Sequence, residues 1–344
     1  MPGWLRLSKH LKTMRPHHDI LIISMTNKPY NLLDGDVLTE LKRVFEALHP
    51  KTTRAVILTS GIDHIWISHY DVQEIIDFGK IIPSSIPISP WIVQKALQAE
   101  SWTAWMGLRT LTRKTFFAGL SHLNLYKEVT DLMRSKSQVF IAAINGRCFG
   151  GGCELALACD FRIMVDEPLE NQVGLGQVES LIGLIPGGGG TQTLARTLGT
   201  AKALELCLDG SFISAKQALE YGIVNKLVPR DQLQDEAVAM ALRLASRSPT
   251  AIALIKDAVH VGGSMPLAAG LLREQGNFAA SSLVPETQAA MKAYVDNIES
   301  FLGDKGDLKV FEPFYQGKLY DFTPGAAADE RRQAKTAAAT KKSK

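Results

Sequence analysis

Cysteine is scarce: four in 344 residues, at positions 148, 153, 159 and 207, with no CxxC pair. That is too few for a disulfide framework at this length. Three of the four crowd into one apolar segment, where buried reduced thiols are expected. The eight histidines show no HExxH or comparable spacing, so no metal is expected. No run of 18 uncharged apolar residues occurs. The richest stretch, 139–158, is interrupted by Asn145, Arg147 and Glu154, which argues against a membrane-spanning helix. Neither GxxxxGK(S/T) nor GxGxxG is present, which removes the usual nucleotide-phosphate loops. Acidic residues are absent from 1–18, which carries Arg6, Lys9, Lys12 and Arg15, and sparse in 325–344, where six bases meet two acids. The formal charge of +3 therefore sits at the ends. The body holds 28 bases against 33 acids and is net −5. Such a body is not a phosphate-tracking surface, and nucleic acid is not expected as the main ligand.

What is present suits an α/β fold. The chain is 46% hydrophobic, enough for one large domain or two modest ones. Ile20–Met25, Arg54–Ser60, Val139–Ile144 and Phe161–Val165 read as strands, with helical patterns between them, and this implies parallel pairing with crossovers. Asp34 or Asp36 caps a helix whose Val37, Leu38, Leu41, Val44, Phe45 and Leu48 share a face. Residues 61–71 read as a loop, and a glycine turn leads into a helix at Cys153–Cys159. Beyond residue 200 the texture turns helical: Ala201–Leu208, a helix from Ser214 to Gly222, then helices near 230–247, 249–262 and 265–303, with a strand at Ile223–Val228.

The predicted organisation is a core over 1–229, a helical region over 230–303 and an extension over 304–344, with a disordered basic tail from about residue 325. An insert at about 79–135 breaks the rhythm with Pro83, Pro87 and Pro90, then carries Trp91, Trp102, Trp105, Phe116 and Phe117. The simpler reading is that these aromatics pack the insert onto the body; a lid or subunit contact is the other. The basic opening resembles a transit peptide, but Trp4–Ser8 alternates like a strand and is read as mature sequence. The terminal Lys-Ser-Lys is not the peroxisomal Ser-Lys-Leu. A cytoplasmic location is expected, with mitochondrial as the alternative.

Two segments carry chemistry. Asn145-Gly-Arg-Cys-Phe-Gly-Gly-Gly-Cys-Glu154 joins a buried strand to a helix. Its glycines leave N–H groups unobstructed at a helix N-terminus, a place for a phosphate or an oxyanion. Glu154 would repel a phosphate yet serve as an acid or base. Alternatively, the glycines only permit close packing. Gly176-Gln-Val-Glu179 then places a carboxylate among apolar neighbours, where burial would raise its pKa and suit acid work; an exposed loop glutamate is the bland alternative. Ile185-Pro-Gly-Gly-Gly-Gly-Thr191 opens another helix and reads as turn and packing.

These motifs, in this order, resemble the crotonase superfamily, specifically its enoyl-CoA hydratase/isomerase group. Asn27-Lys-Pro and Ile213-Ser-Ala-x-x-Ala-x-x-x-Gly222-Ile-Val are similar to further stretches of that pattern, so the resemblance covers roughly 18–300 apart from the insert. It implies a spiral of ββα units with a C-terminal helical region that builds homotrimers or dimers of trimers. It places the oxyanion-hole N–H groups on Tyr70 and Gly151, the catalytic glutamates at Glu154 and Glu179, and substrate or CoA contacts at Ser68, His69, Asp71 and Gly150. Here Trp66-Ile-Ser-His-Tyr-Asp71 stands where the family usually reads Phe-x-Ala-Gly-Ala-Asp, and His64 and Gln73 stand where relatives often carry lysines. The implied reaction is hydration of a 2-enoyl-CoA, with coenzyme A as part of the substrate and no separate cofactor. Isomerisation is the runner-up, followed by decarboxylation or hydrolysis of an acyl-CoA. A non-catalytic acyl-CoA- or RNA-binding protein using the basic tail is the alternative of another class.

Overall fold

Long apolar runs become the central strands. The computed structural model describes residues 3–81, 89–107, 118–299, 312–315, 320 and 322. Pro83, Pro87, Phe116, Phe117 and the tail from 325 lie outside the described residues. The strands are β1 (Leu5–Arg6), β2 (Leu11–His17), β3 (Ile20–Met25), β4 (Ala55–Ser60), β5 (His64–Ile67), β6 (Val139–Ile144), β7 (Gly146–Phe149), β8 (Phe161–Val165), β9 (Gly174–Gly176), β10 (Ile213–Ser214) and β11 (Lys226–Val228). One sheet has the order β1-β2-β3-β4-β6-β8-β11 and the other β10-β9-β7-β5. From β3 to β11 the first sheet is parallel, with Ile20 opposite Ala55 and Ala55 opposite Val139. Strands β3 and β6 are buried along their whole length, as expected for parallel strands covered on both faces.

The helices are α1 (Gly35–Ala47), α2 (Val72–Ile81), α3 (Pro90–Trp105), α4 (Ala118–Ser135), α5 (Gly151–Ala158), α6 (Gly190–Leu198), α7 (Thr200–Asp209), α8 (Ala215–Glu220), α9 (Leu233–Ala245), α10 (Pro249–His260), α11 (Leu267–Ser282), α12 (Pro285–Asp296) and α13 (Glu312–Tyr315). The chain therefore winds as strand in the first sheet, strand in the second, then helix: β4-β5-α2, then β6-β7-α5. This is the ββα spiral that the resemblance implies. Asp34 caps α1 by accepting from Val37 N–H. Val37, Leu38, Leu41 and Phe45 are buried, with Phe45 edge-on to Phe140 at 5.0 Å. Cys148, Cys153 and Cys159 are buried free thiols, whereas Cys207 is half-buried. Among the described residues no single helix is long and apolar enough to cross a membrane.

Several elements differ from expectation. Residues 64–67 and 146–149 are strands rather than loop and glycine turn. They are too short to display a period, and Gly146 is there because a Cβ would lie 2.0 Å from the His64 carbonyl carbon. The expected insert is divided: α4 buries Leu125, Tyr126, Val129 and Met133 in the main core and packs on α1. Trp91, Trp102 and Trp105 do not pack onto the body; they are 65%, 73% and 85% exposed. The contact of α3 with α4 includes buried Glu100, which accepts from Ser121 Oγ (2.6 Å) and Asn124 Nδ2 (2.5 Å). The helix predicted over 265–303 breaks before Pro285, which cannot donate to the preceding turn. Only Lys226–Val228 of the strand predicted at 223–228 forms.

Candidate active site

The Asn27 motif anchors the loop that carries Tyr70. Asn27 Nδ2 donates to Leu32 O (3.0 Å) and Asp34 Oδ2 (2.7 Å), and its N–H donates to Asn31 Oδ1 (2.7 Å). The segment so fixed grips the following loop: Leu33 N–H donates to His69 O (2.9 Å), and Asp71 N–H donates to Leu33 O (2.8 Å). Tyr70 lies between these two bonds, and among the described residues its own N–H meets no protein acceptor.

The glycine segment 150–152 comes against that loop. Gly150 has φ 48° and ψ −125°, a conformation open to glycine, and a Cβ there would lie 3.0 Å from Glu179 Oε1. A Cβ at Gly152 would lie 2.5 Å from Ile67 O, and one at Gly151 would lie 3.3 Å from Tyr70 N. Gly151 is the first residue of α5, so its N–H has no intrahelical partner. Its carbonyl is held by the buried Tyr126 hydroxyl, which donates at 2.6 Å. Two main-chain donors thus adjoin one another at the N-terminus of a helix, an arrangement able to receive an oxyanion.

Glu154 sits one turn inside α5, 4% exposed. Its Oε1 accepts from Gly188 N–H and Gly190 N–H, both at 2.7 Å. The four-glycine run, read from sequence as turn and packing, therefore also supplies the donors that hold this carboxyl. Burial raises the Glu154 pKa to about 7; the bond from Gly190 opposes the rise, and the charge of Glu179 adds to it. Glu179 opens a short 3₁₀ turn (Glu179–Ile182) and is half-buried. Burial raises its pKa as well, against the pull of the main-chain N–H groups of Glu179 and Val178 and of nearby His69. Oriented with its nitrogen toward the carboxylate, buried Gln177 donates to Glu179 Oε2 (3.1 Å) and Oε1 (3.2 Å).

Tyr70, Gly151, Glu154 and Glu179 line one cavity of about 400 Å³, whose apolar wall includes Ile75, Phe78, Leu123, Leu184 and Ile185. The structure does not bring Ser68, His69, Asp71 or Gly150 to that lining. Ser68 is buried, with its Oγ unpartnered; His69 Nδ1 contacts Tyr70 O at 2.7 Å; and Asp71 Oδ1 accepts from Gln73 N–H at the start of α2. Sequence reasoning missed Glu74, His122, Tyr126 and Gln177. His122 and Tyr126 sit in the stretch read as an insert, Glu74 in the unassigned residues between the loop and that insert, and only the four-residue spacing of Tyr70 and Glu74 could have signalled a pair. Among the described residues one group could hold a cation, His17, His18 and Asp19, at the β2–β3 turn and apart from this cavity.

Comparison with known proteins agrees with this arrangement. Residues 108–304, more than half of the chain, match the family model described as enoyl-CoA hydratase/isomerase. The chain is 39% identical over 165 residues to the mitochondrial enoyl-CoA hydratase of Pongo abelii, covering 48% of this chain and 55% of the relative. It is 38% identical over 193 residues to the fatty acid oxidation complex subunit alpha of Shewanella loihica, covering 53% of this chain and 27% of that protein. The chain thus spans about half, or less, of the length of these relatives. The enoyl-CoA hydratase structure from Bacillus anthracis superposes with a TM-score of 0.65 at 26% identity, covering 84% of this chain and 96% of that one. One from a Polaromonas species gives 0.65 at 23%, covering 83% and 96%, a likeness of fold. The motifs that carried the resemblance lie where the two sheets, α5 and the glycine loop meet, and on the family match the chain belongs to the enoyl-CoA hydratase/isomerase family.

Proposed function

We propose that this protein is an enoyl-CoA hydratase, adding water syn across the double bond of a 2-enoyl-CoA. One observation carries the reading: two main-chain donors without protein acceptors and two carboxyl groups with raised pKa values line the same cavity. The thioester oxygen accepts from Tyr70 N–H and Gly151 N–H, which stabilise the negative charge that builds there as water attacks C3. Glu154 polarises the water and takes its proton, while Glu179 delivers a proton to C2. Because the two act on one water, they titrate as a pair. The apolar wall suits an aliphatic acyl chain. Retention of both glutamates favours hydration over isomerisation, which needs one carboxyl group to move a proton between carbons.

The test is incubation with short and medium 2-enoyl- and 3-enoyl-CoAs. A 3-hydroxyacyl-CoA product, reduced about 100-fold or more in Glu154→Gln and in Glu179→Gln, is expected. Conversion of 3-enoyl to 2-enoyl-CoA without hydration would replace the reading by isomerisation. Binding without turnover would replace it by a non-catalytic acyl-CoA carrier. We further propose assembly as a homotrimer or dimer of trimers, supported by exposed Leu267, Leu272, Phe278 and Leu283 on and just after α11.

A further inference from the structure

The hydration chemistry leaves one polar cluster in the cavity wall unused. The Tyr70 hydroxyl donates to Glu74 Oε2 at 2.7 Å. The same carboxylate accepts from Gly35 N–H, 3.1 Å to Oε2 and 3.3 Å to Oε1, and lies 3.4 Å from His122 Nδ1. Its partners come from separate pieces of the fold: Tyr70 from the loop after β5, Gly35 from the start of α1 and His122 from α4. The site is fitted closely, since a Cβ at Gly35 would lie 2.9 Å from His122 Nε2. Burial opposes ionisation of Glu74, but the hydrogen bonds from His122 and Tyr70 prevail and hold its carboxyl below the usual range. Burial and the bond to Glu74 raise the Tyr70 pKa, so its hydroxyl stays a donor.

This matters because of what Tyr70 carries. The peptides on either side of it are tied to Leu33, whereas its own N–H is left free for a ligand. The direction of that N–H depends on where the residue is pinned, and a preorganised donor is worth most when it does not have to move. We infer that Glu74 is a positioning residue: by joining the Tyr70 hydroxyl, His122 and the α1 terminus, it fixes the Tyr70 N–H beside that of Gly151. The inference rests on the hydratase reading for its consequence in catalysis, but not for the clamp itself. Glu74 is not assigned a proton-transfer step. Its oxygens already serve protein donors, and a carboxyl held ionised is a poor acid.

The test uses the full chain and three variants, Glu74→Ala, Glu74→Gln and Tyr70→Phe, with two readouts. The first is hydrogen exchange of the Leu33 and Asp71 amides, which are bonded across the Tyr70 peptide. It should accelerate in Glu74→Ala and Tyr70→Phe, and stay near wild type in Glu74→Gln, whose amide oxygen can still accept from the hydroxyl. The second is 2-enoyl-CoA turnover. Glu74→Ala and Tyr70→Phe should each lower kcat roughly tenfold with KM little changed, the double variant should be no worse than either, and Glu74→Gln should keep most of the rate. Should Glu74→Gln fall as far as Glu74→Ala while Tyr70→Phe stays active, Glu74 is an acid or base and the inference is wrong. Unchanged exchange in Glu74→Ala and Tyr70→Phe also overturns it. If Glu74→Ala fails to fold, Tyr70→Phe decides alone. A wild-type protein that turns over no acyl-CoA sinks the hydratase reading, and the exchange arm then decides the clamp by itself.

Discussion

On the proposed mechanism, Glu154 sets stability against activity. Its ordinary pKa of 4.5 is raised to about 7 in the fold. Between those values the folded state keeps a proton that the unfolded chain has released, so the contribution of Glu154 to stability is greatest below pH 4.5, falls as pH rises toward 7, and is flat above. Glu154→Gln removes the charge while its amide oxygen can still accept from Gly188 and Gly190. The variant should therefore unfold at higher denaturant than wild type at pH 8, by up to about 3 kcal/mol, and match it at pH 4.5. Urea titrations at the two pH values check this, and an advantage equal at both would remove the argument. The same shift should appear in catalysis. If Glu154 must lose its proton to activate water, the acidic limb of kcat/KM against pH lies near 7; a limb below 5 would remove Glu154 from that role.

At the scale of elements, the glycine loop before α6 acts as a rigid donor to α5. A Cβ at Gly188 would lie 2.4 Å from Tyr126 Cε1 and 2.6 Å from Glu154 Oε2, so Gly188→Ala must displace both the ring and the carboxyl or shift the loop itself. The expected result is a loss of about 1–3 kcal/mol in thermal unfolding and at least a tenfold drop in turnover. Wild-type behaviour in both would mean that the loop yields without cost. Legibility from sequence followed the same division. Strands β3, β4, β6 and β8 and the face of α1 were readable because long apolar runs and a 3.6-residue period carry a signal. Strands β5 and β7 were not, because four residues with glycine and histidine show no period. Glu154 and Glu179 stood out through their motifs. Glu74 and His122 did not, because the contact between them arises only once α2 and α4 pack. The role of the four glycines was hidden for a related reason, since a main-chain donor leaves no trace in residue identity beyond permission to approach.

For the whole molecule, assembly is the open expectation with the clearest physical handle. Leu272, Phe278 and Leu283 are exposed at or beyond 70%, large apolar side chains that a subunit contact would cover. Sedimentation should give three or six times the chain mass of 37.6 kDa, and Leu272→Lys with Phe278→Lys should shift it toward one. A monomeric wild type would sink the proposal. The arrangement of α3 has a separate spectroscopic outcome. Its indoles at positions 91, 102 and 105 face solvent, while that of Trp66 is fully enclosed and donates to Leu58 O. Emission from the native protein should therefore be dominated by red-shifted, iodide-quenchable fluorophores. Any molecule that settled on that helix would announce itself as a blue shift with loss of quenching, without a label having to be attached.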